Sequence, residues 1–128
     1  MIVFREALLQ DFERILCLKR QVHSIHAQHA PDWFIDTDEP ITVLEYHEML
    51  MSQDRHIYVL AENKMVLAYA FVRVNETNDG HVLNSRQFFV FDFCVDKAYR
   101  RHGCGTKLME RLTRVAEEKK CESIELVV

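Results

Sequence analysis

The residues best suited to chemistry lie in one segment, FDFCVDKAYRRHGCGTKL, from Phe91 to Leu108. Between its apolar run and the helical pattern that follows stand two arginines and two glycines, Arg100, Arg101, Gly103 and Gly105. A turn that opens a helix directs unpaired backbone N–H groups and the positive end of the helix dipole at one point. Glycine lets a ligand approach that backbone closely, and arginine adds cationic donors. The pattern therefore predicts a phosphate or pyrophosphate site, and a glycine turn that serves backbone geometry alone is the alternative.

Hydrophobic periodicity predicts a strand and two helices in the first half of the chain. Residues 2–7 form the strand, and apolar residues at helical spacing predict an amphipathic helix from residue 9 to residue 29. Pro40 suits the first turn of a second helix over residues 41–53. One side of this second helix carries Val43, His47 and Leu50.

The second half of the chain reads as three strands, a helix and a last strand. The strands are predicted over residues 56–62, 65–74 and 86–96, the helix over 105–120 and the last strand over 123–128. The strand over 86–96 is apolar on both faces, as expected in the middle of a covered sheet. We therefore predict a single α/β domain of the α+β type over residues 1–128, in the order β-α-α-β-β-β-α-β.

Composition indicates a soluble globular domain and excludes several kinds of partner. The formal net charge is -4 with no long basic block, so we do not expect a nucleic-acid partner. No apolar run approaches the ~20 residues of a membrane-spanning helix, and the N-terminus lacks the features of a signal peptide. The cysteines show no CxxC pairing, which indicates reduced thiols in a cytoplasmic protein. They are Cys17, Cys94, Cys104 and Cys121.

Three histidines raise the question of a metal site. His23, His26 and His29 are three residues apart, so they lie along one flank of the first predicted helix. No cysteine or carboxylate completes a ligand set beside them. We therefore predict surface histidines and no metal.

The segment around the glycines resembles the acetyl-CoA motif of the GNAT family of N-acetyltransferases, Q/R-x-x-G-x-G/A. Val95, Tyr99 and Arg100 also match the V-x-x-x-Y-R run that commonly precedes this motif. The stretch VHSIHAQHAPDWF resembles the H-x-x-x-x-P-x-x-F ending of the first helix in many members. The order of elements agrees as well, so the resemblance covers nearly the whole chain. It implies a mixed, mostly antiparallel sheet flanked by helices.

This resemblance implies that the chain uses acetyl-CoA as a co-substrate, without a metal. An amine of a small molecule or peptide would attack the thioester directly. The pyrophosphate would lie over the turn at residues 101–106, and the pantetheine arm would pair with the backbone of residues 93–95, where one N–H would stabilise the oxyanion. The implied cofactor-binding residues are Phe93, Cys94, Val95, Arg100, Arg101, His102, Gly103, Cys104, Gly105 and Thr106.

Asp92 is the residue that we expect to accept the proton of the amine. With strict strand alternation it shares a face with Val90 and Cys94. Burial on a central strand disfavours the charged carboxylate, which suits a base, and many family members carry an acidic residue at this point. A buried aspartate whose hydrogen bonds hold loops together is the alternative. We interpret Asp96, at the strand end, as a turn residue.

An acidic, aromatic loop follows the first predicted helix. In the family this region often lines the acceptor site, so the resemblance implies that Trp33 and Phe34 contact the substrate. An acidic lip suits an amine, and an ordinary solvated loop is the alternative. The acidic residues are Asp32, Asp36, Asp38 and Glu39.

Family members usually continue past the last strand with another helix, another strand and often a tyrosine that protonates the leaving thiolate. This sequence ends at Val128 without that segment, which would leave a sheet edge uncovered. Three explanations stay open: an incomplete chain, a second subunit that covers the edge, or a naturally short chain without activity. The edge favours a homodimer. The alternatives to an enzyme are a non-catalytic acyl-CoA-binding module for sensing or regulation, and a truncated, inactive remnant.

Overall fold

The helices and strands occur in the order that the hydrophobic pattern predicts. The computed structural model describes residues 1–29, 40–77 and 85–126. The strands are β1 (Ile2–Glu6), β2 (Arg55–Glu62), β3 (Met65–Thr77), β4 (Ser85–Val95) and β5 (Ser123–Leu126). The helices are α1 (Phe12–His29), α2 (Val43–Met51) and α3 (Cys104–Glu118), and two short 3₁₀ helices cover Leu9–Asp11 and Lys97–Tyr99.

The five strands form one mixed sheet in the order β1-β2-β3-β4-β5. The first four strands are antiparallel to their neighbours, and β5 is parallel to β4. Asn63 and Lys64 alone join β2 to β3, and both have positive φ, 51° and 70°. Two such residues match the right-handed twist of a hairpin. The predicted fold class is confirmed.

Helices cover both faces of the sheet. On one face, α1 and α2 pack through fully buried residues such as Ile15, Leu18 and Tyr46. On the other face, α3 packs through Leu108 and Leu112, both fully buried. Burying one such aliphatic side chain contributes about 1.5–3 kcal/mol. The sheet is therefore held between two apolar layers, and β4 is the fourth of its five strands.

The second helix begins later than predicted. Thr42 is its N-cap, because the Thr42 side-chain oxygen accepts from the Glu45 N–H at 3.1 Å. The Glu45 carboxylate accepts in turn from the Thr42 N–H at 3.2 Å, which completes a capping box. Pro40 precedes the helix and is not in its first turn.

The buried side of α2 carries Tyr46 and Met49. Tyr46 is fully buried and its hydroxyl donates to the carbonyl oxygen of Leu8 at 2.6 Å. Val43 is 55% exposed and His47 is exposed, so they do not form the core side. Apolar residues occur nearly all round this short helix, so the sequence pattern alone does not show which side is buried.

Within the described part of the chain, no helix is long and apolar enough to cross a membrane. The same residues contain no group of three or more His, Cys, Asp or Glu side chains that could hold a metal ion. The histidine side chains considered above, those of His23, His26 and His29, lie outside the described residues.

Candidate active site

A bulge in β4 changes the face on which Asp92 lies. Consecutive residues of β3, Phe71 and Val72, pair with Asp92 and Val90, so Phe91 is an extra residue between them. Val90 packs with the α3 side of the sheet, whereas Asp92 contacts α1. The prediction that Asp92 shares a face with Val90 is therefore wrong. Strict alternation holds only where no residue is inserted.

Beyond the bulge, no strand among the described residues pairs with the outer edge of β4. The parallel strand β5 pairs with β4 only over Gln87–Val90. Along residues 91–95, no strand among the described residues continues that ladder. Unpaired N–H and C=O groups on a strand edge can pair with an extended ligand. Phe93, Cys94 and Val95, which the family resemblance assigned to the pantetheine arm, lie in this stretch.

The turn between β4 and α3 lines a cavity of about 280 Å³ that is open to solvent. Gly103 is the N-cap of α3, and its φ of 79° lies in the left-handed region. Arg101 adopts a positive φ of 69° in the same turn. The residues around the cavity are Val95, Tyr99, Arg100, Arg101, Gly103, Cys104, Gly105 and Thr106.

Most residues predicted for the pyrophosphate turn thus surround one cavity at the N-terminus of α3. Tyr99, which sequence reasoning used only as part of the motif, also lines it. His102 is exposed but does not line the cavity. Phe93 and Cys94 do not line it either and belong to the strand edge described above.

The two glycines meet different demands. A Cβ added at Gly103 would have no heavy atom within 4 Å, so the positive φ, and not a steric clash, is what favours glycine there. A non-glycine residue in this region costs about 1–2 kcal/mol. A Cβ at Gly105 would lie 3.7 Å from a Val95 methyl carbon and 3.8 Å from the Phe93 ring, which is ordinary van der Waals contact. The space above Gly103 is therefore open to a ligand.

The cations of the turn are available to an anion. Arg100 and Arg101 are exposed, and the Arg100 Nε donates to the Val95 carbonyl oxygen at 3.2 Å, which ties the turn back to β4. Cys104 is 4% exposed and packs with the apolar layer beneath α3. Cys104 therefore contributes only its backbone groups to the turn.

Two side chains donate to the carboxylate of Asp92. The Lys19 Nζ lies 2.5 Å from Asp92 Oδ2, and the Tyr69 hydroxyl donates to the same oxygen at 3.1 Å. The side chains of Asp92 and Lys19 are 16% and 22% exposed, so solvent reaches the pair. A lysine partner stabilises the charged carboxylate. The sequence interpretation considered burial alone, which favours the neutral form.

Two neighbours of Asp92 keep their protons. Burial, and after it the negative charge of Asp92, raises the pKa of the Tyr69 hydroxyl far above its ordinary value. Burial and the same carboxylate raise the pKa of the Cys94 thiol to about 11. Near neutral pH, Tyr69 therefore acts as a hydrogen-bond donor and Cys94 packs as a neutral thiol.

Asp96 holds the start of the turn, as interpreted from the sequence. Its carboxylate accepts from the Ala98 N–H at 3.1 Å and from the Gln21 amide at 3.3 Å, and it forms an ion pair with Arg14. Burial alone would raise the pKa of Asp96, but these three donors together lower it below the ordinary value of 3.8. Asp96 is a buried capping residue that joins α1 to the turn.

Sequence reasoning missed Lys19 and Tyr69. Lys19 lies 73 positions before Asp92, and nothing in the local pattern of α1 distinguishes it from a surface lysine. Tyr69 reads as one more aromatic residue of a buried strand. The proposed acceptor residues Trp33 and Phe34, with the acidic residues Asp32, Asp36, Asp38 and Glu39, lie outside the described residues.

A larger depression of about 510 Å³ lies at the opposite end of β4, beside Arg86. Its charged residues pair with one another: Arg73 lies 3.5 Å from Asp54, and Arg86 lies 3.6 Å from Glu76. The charges around this depression are largely compensated, and it is remote from Asp92. We place the candidate site at the carboxyl end of β4.

Sequence comparison identifies one matching family model. The model described as the acetyltransferase (GNAT) family matches residues 20–128. A comparison with curated protein sequences gave no match.

Solved structures share the fold at low sequence identity. The tetramutant of the BH1408 protein from Bacillus halodurans superposes with a TM-score of 0.91 at 22% identity, over 98% of this chain and 82% of that chain. An acetyltransferase from Vibrio fischeri gives 0.79 at 19% identity, over 98% and 95%. The aminoglycoside N-acetyltransferase AAC(6')-Iy in complex with CoA gives 0.74 at 14% identity, over 100% and 77%.

Proposed function

The chain belongs to the GNAT acetyltransferase family, and on that premise we propose that it moves the acetyl group of acetyl-CoA to an amine of a small molecule or peptide. One observation carries the proposal. The cavity at the N-terminus of α3, the unpaired edge of β4 and the carboxylate of Asp92 are consecutive along one strand and its turn. We assign the cavity to the pyrophosphate, the strand edge to the extended arm of the co-substrate and Asp92 to the amine.

The turn suits the phosphates of the co-substrate. Unpaired N–H groups at the start of α3 and the helix dipole favour an anion above Gly103, where no side chain intrudes. Arg100 and Arg101 add positive charge at the same rim. Over residues 91–95, where no described strand pairs with the outer edge of β4, backbone groups are then offered to the amide-bearing arm. The Val95 carbonyl oxygen already accepts from the Arg100 Nε.

The reaction asks three things of this chain. It holds the thioester at the bulge of β4, where a backbone N–H can stabilise the oxyanion. It keeps Asp92 only partly accessible to solvent, with the side chain 16% exposed. Asp92 takes a proton from the attacking amine, with Tyr69 orienting the carboxylate. Attack then forms the C–N bond, and the C–S bond breaks as CoA leaves.

One observation favours a second candidate, a non-catalytic module that binds acyl-CoA. Lys19 neutralises Asp92 at 2.5 Å, so the carboxylate already has a cationic partner. If no acceptor displaces or uses that partner, the site binds the co-substrate without turnover. Release of CoA in the presence of amines separates the two functions.

The remaining expectations stay predictions. Cys94, Cys104, Cys17 and Cys121 are free thiols, in keeping with the predicted reduced, cytoplasmic protein. The predicted homodimer and the single domain over residues 1–128 rest on the sequence alone.

The first test is calorimetric titration of the 128-residue chain with acetyl-CoA and, separately, with CoA. Micromolar binding, about -8 kcal/mol, is expected, followed by thiol release when amines are added. A well-folded chain that binds neither compound would overturn the proposed function.

A matched pair of variants tests the pyrophosphate turn. Gly103→Ala and Gly103→Trp share the strain of a side chain at φ 79°, but only tryptophan fills the space above the turn. We expect Gly103→Ala to retain binding and Gly103→Trp to lose it, with folding checked by circular dichroism. Equal affinity in both variants would refute the assignment of the phosphates to this cavity.

A further inference from the structure

The carboxylate of Asp92 already holds an ammonium group, and that group belongs to the chain itself. The Lys19 Nζ is 2.5 Å from Asp92 Oδ2 and 5.3 Å from the centroid of the Phe71 ring. The Tyr69 hydroxyl completes the surroundings by donating to the same carboxylate oxygen. A carboxylate beside an aromatic face is how proteins commonly hold an ammonium ion. An amine is also the group on which the proposed reaction acts.

The position of Lys19 relative to β4 matters as much as its partners. Asp92 directly follows the bulge at Phe91 and begins the stretch of β4 with which no described strand pairs on the outer side. The Lys19 Nζ therefore lies beside the strand edge to which we assign the thioester. Its side chain is 22% exposed, so it is neither sealed in the core nor free in solvent.

We propose that Lys19 is itself an acetyl acceptor, so that the protein acetylates its own Lys19 Nζ with acetyl-CoA. The inference rests on the proposed function and names one acceptor for the same site. Asp92 takes one proton from the Lys19 ammonium and passes it to solvent. The neutral Nζ attacks the thioester carbonyl carbon, forming the C–N bond. The C–S bond breaks, and the leaving thiolate takes the second proton that Nζ loses. The products are acetyl-Lys19 and CoA.

The experiment incubates the full chain with acetyl-CoA and follows acetylation of each lysine by peptide mass spectrometry. Lys97 and Lys120 are exposed and serve as internal standards for uncatalysed acetylation. We expect Lys19 to be acetylated at least about tenfold faster than either, since a positioned base contributes about 10²–10⁴-fold. The rate constant should not depend on protein concentration, because the reaction is intramolecular.

Two variants separate catalysis from mere reactivity. Asp92→Asn retains Lys19 but lacks the base, so acetylation of Lys19 should slow by about a hundredfold while Lys97 and Lys120 are unchanged. Lys19→Arg keeps a cation beside Asp92 but offers no acceptor, so the fast acetylation should vanish. Lys19 reacting no faster than the two standards, or equally fast in Asp92→Asn, would overturn the inference.

Its failure can be distinguished from failure of the proposed function. If the chain binds acetyl-CoA and releases CoA with added amines while Lys19 stays unmodified, self-acetylation is wrong and the transferase function stands. If the folded chain does not bind acetyl-CoA, both are wrong. Fast acetylation of Lys19 that Asp92→Asn removes supports both.

Discussion

Asp92 and Asp96 lie at the same end of one strand, and each forms an ion pair with α1, yet their surroundings differ. At Asp96 the donors reach both carboxylate oxygens: Ala98 and Gln21 donate to Oδ1, and Arg14 to Oδ2. At Asp92 the two donors among the described residues, Lys19 and Tyr69, both reach Oδ2, and neither reaches Oδ1. The side chains are 7% exposed at Asp96 and 16% at Asp92.

This difference distinguishes a carboxylate that holds the structure from one that can react. A carboxylate with donors on both oxygens loses several hydrogen bonds if it takes a proton, so its charge is fixed. A carboxylate with one oxygen open can accept a proton there without breaking its existing bonds. Asp92 and Asp96 share their charge, their strand and an ion pair with α1, so the roles that we propose for them rest on the number and placement of the donors.

The largest expected effect is on turnover, in Asp92→Asn. Loss of the base should slow CoA release in the presence of an amine by about 10²–10³-fold. Acetyl-CoA affinity should not change, because the cavity at α3 is untouched. The unfolding free energy should fall by no more than about 1 kcal/mol, since the Lys19 pair is partly solvated. Thiol-release kinetics and urea unfolding measure the two quantities. If Asp92→Asn fails to fold, or folds and turns over as fast as wild type, Asp92 has a structural role like that of Asp96.

The next effect is on stability, in Asp96→Ala. Removing this carboxylate leaves Arg14 without its partner and the Ala98 N–H without its acceptor, for a loss of about 3 kcal/mol. Urea unfolding followed by circular dichroism gives the value. Asp96→Asn is the matched control, because its amide oxygen still accepts from Ala98, and it should lose less. A loss below about 1 kcal/mol for Asp96→Ala would mean that the capping network is not structural.

Local sequence predicted the turn and the elements because their determinants are local. Gly103 at a positive φ, the cations before it and the apolar stripe of α3 all lie within the segment that forms the turn. The same holds for the strands on either side of Asn63 and Lys64, which are rich in β-branched and aromatic residues. Each of these features follows from residues a few positions apart.

The face and partners of Asp92 could not be predicted for the opposite reason. An inserted residue at Phe91 reverses strand alternation, and a sequence of continuous apolar residues gives no sign of it. Lys19 reaches Asp92 only because α1 packs across that face of the sheet, which is a tertiary contact. The contact of Tyr46, on the buried side of α2, with the carbonyl oxygen of Leu8 is likewise a tertiary contact.

Acid should weaken the Asp96 network by a smaller amount than substitution does. The native pKa of Asp96 is lowered, so its contribution to stability is complete above the ordinary aspartate pKa, about 4, and is lost as pH falls through the native value. The loss is smaller than in Asp96→Ala, because a protonated carboxyl still accepts from Ala98. The pKa of Asp11, which forms an ion pair with Arg5, is also lowered, so Asp11 contributes to stability in the same pH range.

Urea unfolding at pH values from 7 down to 3 checks this expectation. The difference in unfolding free energy between wild type and Asp96→Asn should be constant above pH about 5 and shrink below about 4. A difference that stays constant down to pH 3 would show that the charge of Asp96 is not what stabilises the turn.

The smallest expected effect, in Tyr69→Phe, tests why Asp92 differs from Asp96. The change removes one of the two donors to Asp92 and leaves the buried ring in place, so no cavity forms. One lost hydrogen bond contributes about 1 kcal/mol, which corresponds to a severalfold fall in turnover if Tyr69 orients the carboxylate. Because burial raises the pKa of Tyr69 far above neutral pH, the pH profile of turnover should keep its shape. If turnover of wild type falls at alkaline pH and turnover of Tyr69→Phe does not, the Tyr69 proton takes part in the reaction. The chemistry would then belong to the pair of Tyr69 and Asp92, whereas Asp96 has no such partner.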